Sequence, residues 1–194
     1  ASVPKISHNG VLPRITKGEN IDDSYTSKLL SQTMSRPHIF EAYRSLQLNF
    51  SFLNPDRNLK SILVTSSAPS EGKTLTAINI AQLYALEGTL TLLIDCDFRR
   101  PKIHKALNLE PEPGVTNILI DKTLGVDSCV QISKDDIFDN NLAILTCGTL
   151  PPNPSELLKS NRMKDMLTEV YDTFELVIID APPLISVTDS VILG

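Results

Sequence analysis

Gly72, Lys73 and Thr74 are the residues of this chain best suited to hold phosphate. They close the segment Ser66-Ser67-Ala68-Pro69-Ser70-Glu71-Gly72-Lys73-Thr74. Such a loop gathers backbone N–H groups at the start of a helix, where the helix dipole favours an anion. Gly72 lets the backbone approach phosphate oxygens, the Lys73 ammonium suits the β- and γ-phosphates, and the Thr74 hydroxyl suits Mg²⁺. The nucleotide contacts expected from this pattern are Ser70, Glu71, Gly72, Lys73, Thr74 and Leu75, with ATP and Mg²⁺ as cofactors. Two residues depart from the usual pattern: Ser67 stands where glycine is standard, and Ser70 where it is frequent. Taken alone, Gly-Lys-Thr also fits an ordinary strand-to-helix turn with a solvated lysine, so the flanking elements matter.

Three carboxylates complement the loop. Asp95 and Asp97 lie in Leu92-Leu93-Ile94-Asp95-Cys96-Asp97-Phe98-Arg99-Arg100-Pro101, and Asp180 lies in Val177-Ile178-Ile179-Asp180-Ala181-Pro182-Pro183. Each group follows an apolar run, and ligands of open parallel sheets bind beyond the carboxyl ends of such strands. Alternation places Asp95 and Asp97 on one side and Cys96 opposite, if the strand continues that far. Mg²⁺ prefers oxygen ligands, and phosphoryl transfer needs a group that orients or deprotonates the nucleophile. Carboxylates at the edge that carries a phosphate loop serve both needs. Singly, each would pass for a helix cap or a solvated strand end.

The elements that must position these groups are written as alternating apolar runs and helical stripes. Short apolar runs at 61–65, 90–94, 142–145 and 176–179 read as buried strands. Helices are expected over 75–87, stopped by Gly88, and over 155–171, with Ser155 and Glu156 near the start. An earlier helix is marked by Ser35 as cap, Pro37 in the first turn and a stripe of Ile39, Tyr43, Leu46, Phe50 and Leu53, ended by Asn54-Pro55-Asp56. Continuous rather than alternating hydrophobicity means both sheet faces are covered, and the strand–helix alternation implies a parallel, doubly wound α/β sheet. Residues 1–35 are polar and aperiodic and read as a linker or N-terminal arm, leaving 36–194 as one nucleotide-binding domain.

Bulk properties narrow the function. The chain has 194 residues, 41% of them hydrophobic, and a net charge of −5. That balance gives no support to nucleic acid as a partner. Cys96, Cys129 and Cys147 are odd in number and widely spaced, which suits buried thiols in a reducing compartment. No apolar run reaches the roughly 20 residues of a membrane span, and no signal peptide opens the chain, so a soluble, cytoplasmic location is expected. The start at Ala1 rather than Met suits a fragment or a processed product.

The ordered set of segments resembles the bacterial tyrosine autokinases, the BY-kinases, which share a P-loop class with the ParA/MinD ATPases. The resemblance covers residues 36–194. Residues 65–74 look like the family's Walker A motif, Leu93-Ile94-Asp95-Cys96-Asp97-Phe98-Arg99 like its Walker A′ motif, and Ile178-Ile179-Asp180 like its Walker B motif. Gly114-Val115-Thr116-Asn117-Ile118-Leu119 and Pro151-Pro152-Asn153-Pro154-Ser155-Glu156-Leu157-Leu158 also match family segments.

The resemblance implies a three-layer α/β/α sandwich around a mostly parallel sheet, and a catalytic set of Lys73, Asp95, Asp97 and Asp180. In that set Asp95 is the base toward a protein tyrosine hydroxyl, and Thr74, Asp97 and Asp180 place the metal. It implies a role in the synthesis and export of capsular or extracellular polysaccharide. It also implies a membrane-anchored polysaccharide copolymerase, fused or activating, as partner at the inner face of the cell membrane. A homo-oligomeric ring is implied through an E-x-x-R-x-x-R motif, here Glu41-Ala42-Tyr43-Arg44-Ser45-Leu46-Gln47. Glu41 and Arg44 match it, while Gln47 replaces the second arginine and loses its charge and its fork of donors. The same residues also fit the solvated face of an amphipathic helix.

The family's tyrosine-rich tail has no counterpart here. Tyr25, Tyr43, Tyr84 and Tyr171 are scattered, and a further strand, helices and the tail are expected beyond Gly194. Two other functions fit a phosphate loop. A ParA/MinD-like ATPase switch would carry a lysine five residues before Lys73, where this chain has Ala68. A non-catalytic nucleotide-binding regulator of a polysaccharide machine would need only the loop.

Overall fold

The structure is a computed structural model that describes residue 29 and residues 37–53, 59–133, 136–138 and 140–184. Its helices and strands, in chain order, are α1 (Pro37–Leu53), β1 (Ser61–Val64), α2 (Lys73–Leu86), β2 (Thr91–Asp95), α3 (Ile103–Ala106), α4 (Val115–Ile120), α5 (Val126–Cys129), β3 (Gln131–Ile132), β4 (Leu142–Leu145), α6 (Pro154–Leu158), α7 (Asn161–Thr173) and β5 (Leu176–Asp180). The sheet order is β1-β5-β2-β4-β3. The β1·β5, β5·β2 and β2·β4 pairs are parallel, and β3 joins β4 antiparallel at the edge.

Every residue of β2, β4 and β5 is buried. Successive side chains point to opposite faces, so each apolar run feeds two cores. On one face Leu92, Ile94, Leu145, Val177 and Ile179 pack with Val115 and Ile118 of α4 and Met163, Met166 and Val170 of α7. On the other, Leu93, Ile144, Ile62 and Ile178 pack with Ala77, Ile78 and Ala81 of α2, with Tyr43, Leu46 and Phe50 of α1 behind them. This is the expected three-layer α/β/α sandwich.

The register sets up one edge. Asp180, last in β5, is flanked by Val64 of β1 and Asp95 of β2. The phosphate loop leaves β1 beside Val64, so loop and carboxylates meet at the carboxyl end of the central strands.

Several local expectations change. The helix expected over 155–171 is two helices, because Ser160 caps a new one by accepting a hydrogen bond from Met163 N at 3.1 Å. α2 begins at Lys73, two residues before the expected start, and ends against Gly88 at φ +85°. The short helices α3, α4 and α5 and strand β3 carry too few residues for a periodic signal. The arm at 1–35, the Ser35 cap and the Asn54-Pro55-Asp56 stop fall outside the described residues, apart from Leu29, which is buried among α1, α2 and the sheet.

Candidate active site

The phosphate loop runs from β1 into α2 and turns twice through the left-handed region, at Ser70 (φ +67°) and Gly72 (φ +89°). L-residues other than glycine rarely adopt that region, so Ser70 occupies a glycine-like position at a small conformational cost. Gly72 is the N-cap of α2 and brings no side-chain cap. The positive end of the helix is thus left to an external acceptor. The side chain of Glu71 folds back over the loop: its carboxylate accepts from Ser67 N at 3.0 Å and Ala68 N at 3.1 Å, and from the Ser67 hydroxyl. These bonds hold the Glu71 carboxyl below its ordinary value, the Ala68 amide first and Ser67 after it.

Lys73 lies at the centre of the carboxylate group. Its Nζ is 2.8 Å from Asp97 Oδ2, 3.1 Å from Asp180 Oδ1 and 3.4 Å from Thr74 Oγ1. The Thr74 hydroxyl donates to Asp180 Oδ2 at 2.7 Å. Burial pulls the Lys73 ammonium down, but Asp180 and Asp97 outweigh it and hold it above its usual value. Burial pushes the Asp180 carboxyl up, against the pull of Lys73 and Thr74.

One hydroxyl and two carboxylates therefore converge on a single cationic centre. Among the described residues no three His, Cys, Asp or Glu side chains are grouped as a metal site. Two carboxylates and a hydroxyl leave room for water and phosphate oxygens, which is the habit of Mg²⁺. The hard oxygen donors Thr74, Asp97 and Asp180 fit that ion.

Asp95 is fully buried. Its Oδ1 accepts from Asp97 N at 3.2 Å, and its Oδ2 from Lys102 N at 3.2 Å and Ile103 N at 3.1 Å. Burial first, then the neighbouring Asp180, pushes its carboxyl up to about 8 despite those bonds. β2 stops at Asp95, so strict alternation does not carry Asp97; its carboxylate reaches Lys73 from just beyond the end of the strand. Cys96 points into the opposite core, as the pattern implied. All three cysteines are free and buried.

The α1 residues divide. Glu41 and Arg44 are exposed. Gln47 is buried and its Nε2 donates to Glu87 Oε2, which ties α1 to the end of α2. Gln47, which stands where the motif has its second arginine, sits between two helices of one chain. Among the described tyrosines, Tyr43, Tyr84 and Tyr171 pack against the cores. No local signal marks the Gln47–Glu87 contact. The Ser67–Glu71 contact was readable only as a four-residue spacing.

Comparison with known proteins follows the same lines. A family model described as AAA domain matches residues 60–194. A tyrosine-protein kinase of Bacillus subtilis, YwqD, is 42% identical over 154 residues, covering 79% of this chain and 63% of that protein. The putative tyrosine-protein kinase CapB of Staphylococcus aureus is 35% identical over 167 residues, covering 86% and 71%. The crystallised kinase domain of the Escherichia coli tyrosine kinase ETK superposes with a TM-score of 0.76 at 28% identity, covering 94% of this chain and 66% of that one.

Proposed function

Because this chain belongs to the AAA-domain family and, within it, to the bacterial tyrosine-protein kinases, we propose that its site transfers the γ-phosphoryl group of ATP to a tyrosine hydroxyl. The observation that carries this reading is the convergence of Asp97, Asp180 and Thr74 on the Lys73 ammonium beneath an uncapped helix N-terminus. That arrangement supplies the parts that phosphoryl transfer asks of a protein: an anion cradle, a cation and oxygen ligands.

In the proposed reaction the tyrosine oxygen forms a bond to the γ-phosphorus while the bond to the β–γ bridging oxygen breaks, and ADP leaves. Lys73 is assigned to the β- and γ-phosphate oxygens, and the amides from Ser70 to Leu75 to the phosphate chain. Mg²⁺, held by Thr74, Asp97 and Asp180, would supply charge neutralisation on those oxygens. Asp95 is assigned as acceptor of the tyrosine proton; its raised pKa supports this, since a base works best when its pKa lies near the operating pH. Its Oδ1 accepts from Asp97 N, while Oδ2 accepts from two amides, so Oδ1 is the less occupied oxygen and the one assigned to the proton.

The packing of Tyr43, Tyr84 and Tyr171 against the cores points to an acceptor tyrosine outside the described residues. Control of polysaccharide synthesis and export, a membrane-anchored copolymerase partner at the inner face of the membrane, and self-association through Glu41 and Arg44 complete the proposal. No described helix is long and apolar enough to cross a membrane.

The test is incubation of the purified chain with ATP–Mg²⁺, alone and with a tyrosine peptide, read by mass spectrometry. Phosphotyrosine is the expected product. Steady hydrolysis without phosphotyrosine would assign the chain to the ATPase switches, and bound nucleotide without either activity to the regulators.

A further inference from the structure

Glu71 is the one acidic side chain in the phosphate loop. A negative charge is an unexpected neighbour for a triphosphate, and its placement explains why it is tolerated. Ser70 at φ +67° and Gly72 at φ +89° reverse the chain on both sides of Glu71 and turn its side chain back over the start of the loop. There a single oxygen, Oε2, accepts from both Ser67 N and Ala68 N, at 3.0 and 3.1 Å. The Ser67 hydroxyl lies within hydrogen-bond distance of both carboxylate oxygens, at 3.0 and 2.9 Å. The Ser66 hydroxyl adds a bond to Ala68 O at 2.8 Å. Residues 66–71 are thereby closed into a ring by side chains.

This division separates the loop's amides by task. Those of Ser67 and Ala68 are consumed by the chain's own carboxylate. Those that follow Glu71, at the start of α2, are left for phosphate. Glycine-rich loops reach this shape because glycine tolerates the turns; this loop has serine at 67 and 70 and closes its turn with a cross-link instead. A loop ordered before its ligand arrives loses less freedom on binding.

We propose that Glu71 is a positioning residue that preorganises the phosphate loop for the triphosphate by clamping the Ser67 and Ala68 amides. Its effect falls on nucleotide affinity and not on the chemical step. The inference rests on the nucleotide reading of the site, and the experiment separates the two.

The full chain and its Glu71→Ala and Glu71→Gln variants are titrated with a fluorescent ATP analogue in Mg²⁺, and the ATP dependence of phosphotransfer is measured. Glu71→Ala is expected to raise Kd and the KM for ATP about tenfold, the scale of one or two lost hydrogen bonds, with kcat at saturating ATP within about twofold. Glu71→Gln is expected to stay within about threefold of the wild type, because one amide oxygen can accept from both backbone groups. Amide exchange at Ser67 and Ala68 should speed up in Glu71→Ala and remain slow in Glu71→Gln.

Wild-type affinity in Glu71→Ala overturns the inference, as does a fall in kcat at unchanged KM. Tighter binding by Glu71→Gln than by the wild type also overturns it, since the carboxylate would then be a competitor of phosphate. A wild-type chain that binds no ATP overturns the nucleotide reading itself.

Discussion

The Lys73 ammonium lies 2.8 Å from Asp97 Oδ2 and 3.1 Å from Asp180 Oδ1, so the lysine of the phosphate loop pairs with two carboxylates, one at the end of β5 and one just beyond the end of β2. Its side chain is 9% exposed and theirs are 6% and 0% exposed, which makes the triad a buried charge network and not a surface ion pair. Breaking such a network by removing one partner is costly, because the remaining charges stay buried.

Lys73→Met is therefore expected to do two things. Phosphotyrosine formation should vanish, and the nucleotide-free protein should lose on the order of 3 kcal/mol of stability. Urea unfolding followed by circular dichroism checks the second, and retained phosphotransfer would remove Lys73 from the site.

Asp95→Asn should lower kcat by about a hundredfold or more, the scale of general-base loss, with nucleotide affinity retained. It should also change the pH response of the nucleotide-free protein. Asp95 has a folded pKa raised from 3.8 to about 8, so the folded state holds its proton more tightly than the unfolded state. Stability from this group is fully present below the unfolded pKa and declines as pH rises toward 8. Denaturant midpoints measured from pH 4 to pH 8 should fall less steeply in the variant; an identical slope would show that Asp95 does not titrate in that window.

Gln47→Ala should loosen α1 from α2 by about 1 kcal/mol, since the amide bonded to Glu87 is buried. Gln47→Arg should keep most of that stability by pairing with the same carboxylate. Amide exchange across α1 reports the difference, and unchanged protection in Gln47→Ala would show that the contact contributes nothing.

Gly114→Ala should destabilise by about 2 kcal/mol or more, the scale of forced overpacking. A Cβ at Gly114 would meet Thr146 O at 2.3 Å and Gly148 N at 2.4 Å, both backbone atoms that cannot swing away. A thermal shift close to zero would mean that the loops after β3's neighbour β4 and before α4 can part without cost.

The strands and the edge they share were legible because burial on both faces demands long apolar runs. Leu142-Ala143-Ile144-Leu145 coincides with β4 residue for residue, and the Leu176 run lengthens only by Asp180. The split between α6 and α7 was less legible. Ser160 sits inside a stretch whose apolar spacing continues through it, and its side-chain bond to Met163 N outcompetes one continuous helix. The two-residue β3 has no periodicity to detect and exists because β4 offers an edge.

By itself, the order of residues determined the layer architecture, the phosphate loop and the identity of Lys73, Asp95, Asp97 and Asp180 as its polar company. Each of these is written in local spacing: an apolar run, a glycine before lysine, a carboxylate at a run's end. Only the tertiary structure decided how the carboxylates divide their work. Parallel register puts Asp180 beside Asp95. Asp95 then turns to backbone amides of the following segment while Asp97 and Asp180 turn to Lys73. Tertiary contacts likewise placed Gln47 between two helices. Side-chain partners separated by tens of residues are chosen by burial and by which hydrogen bonds remain to be satisfied once the sheet has formed, and no local pattern carries that information.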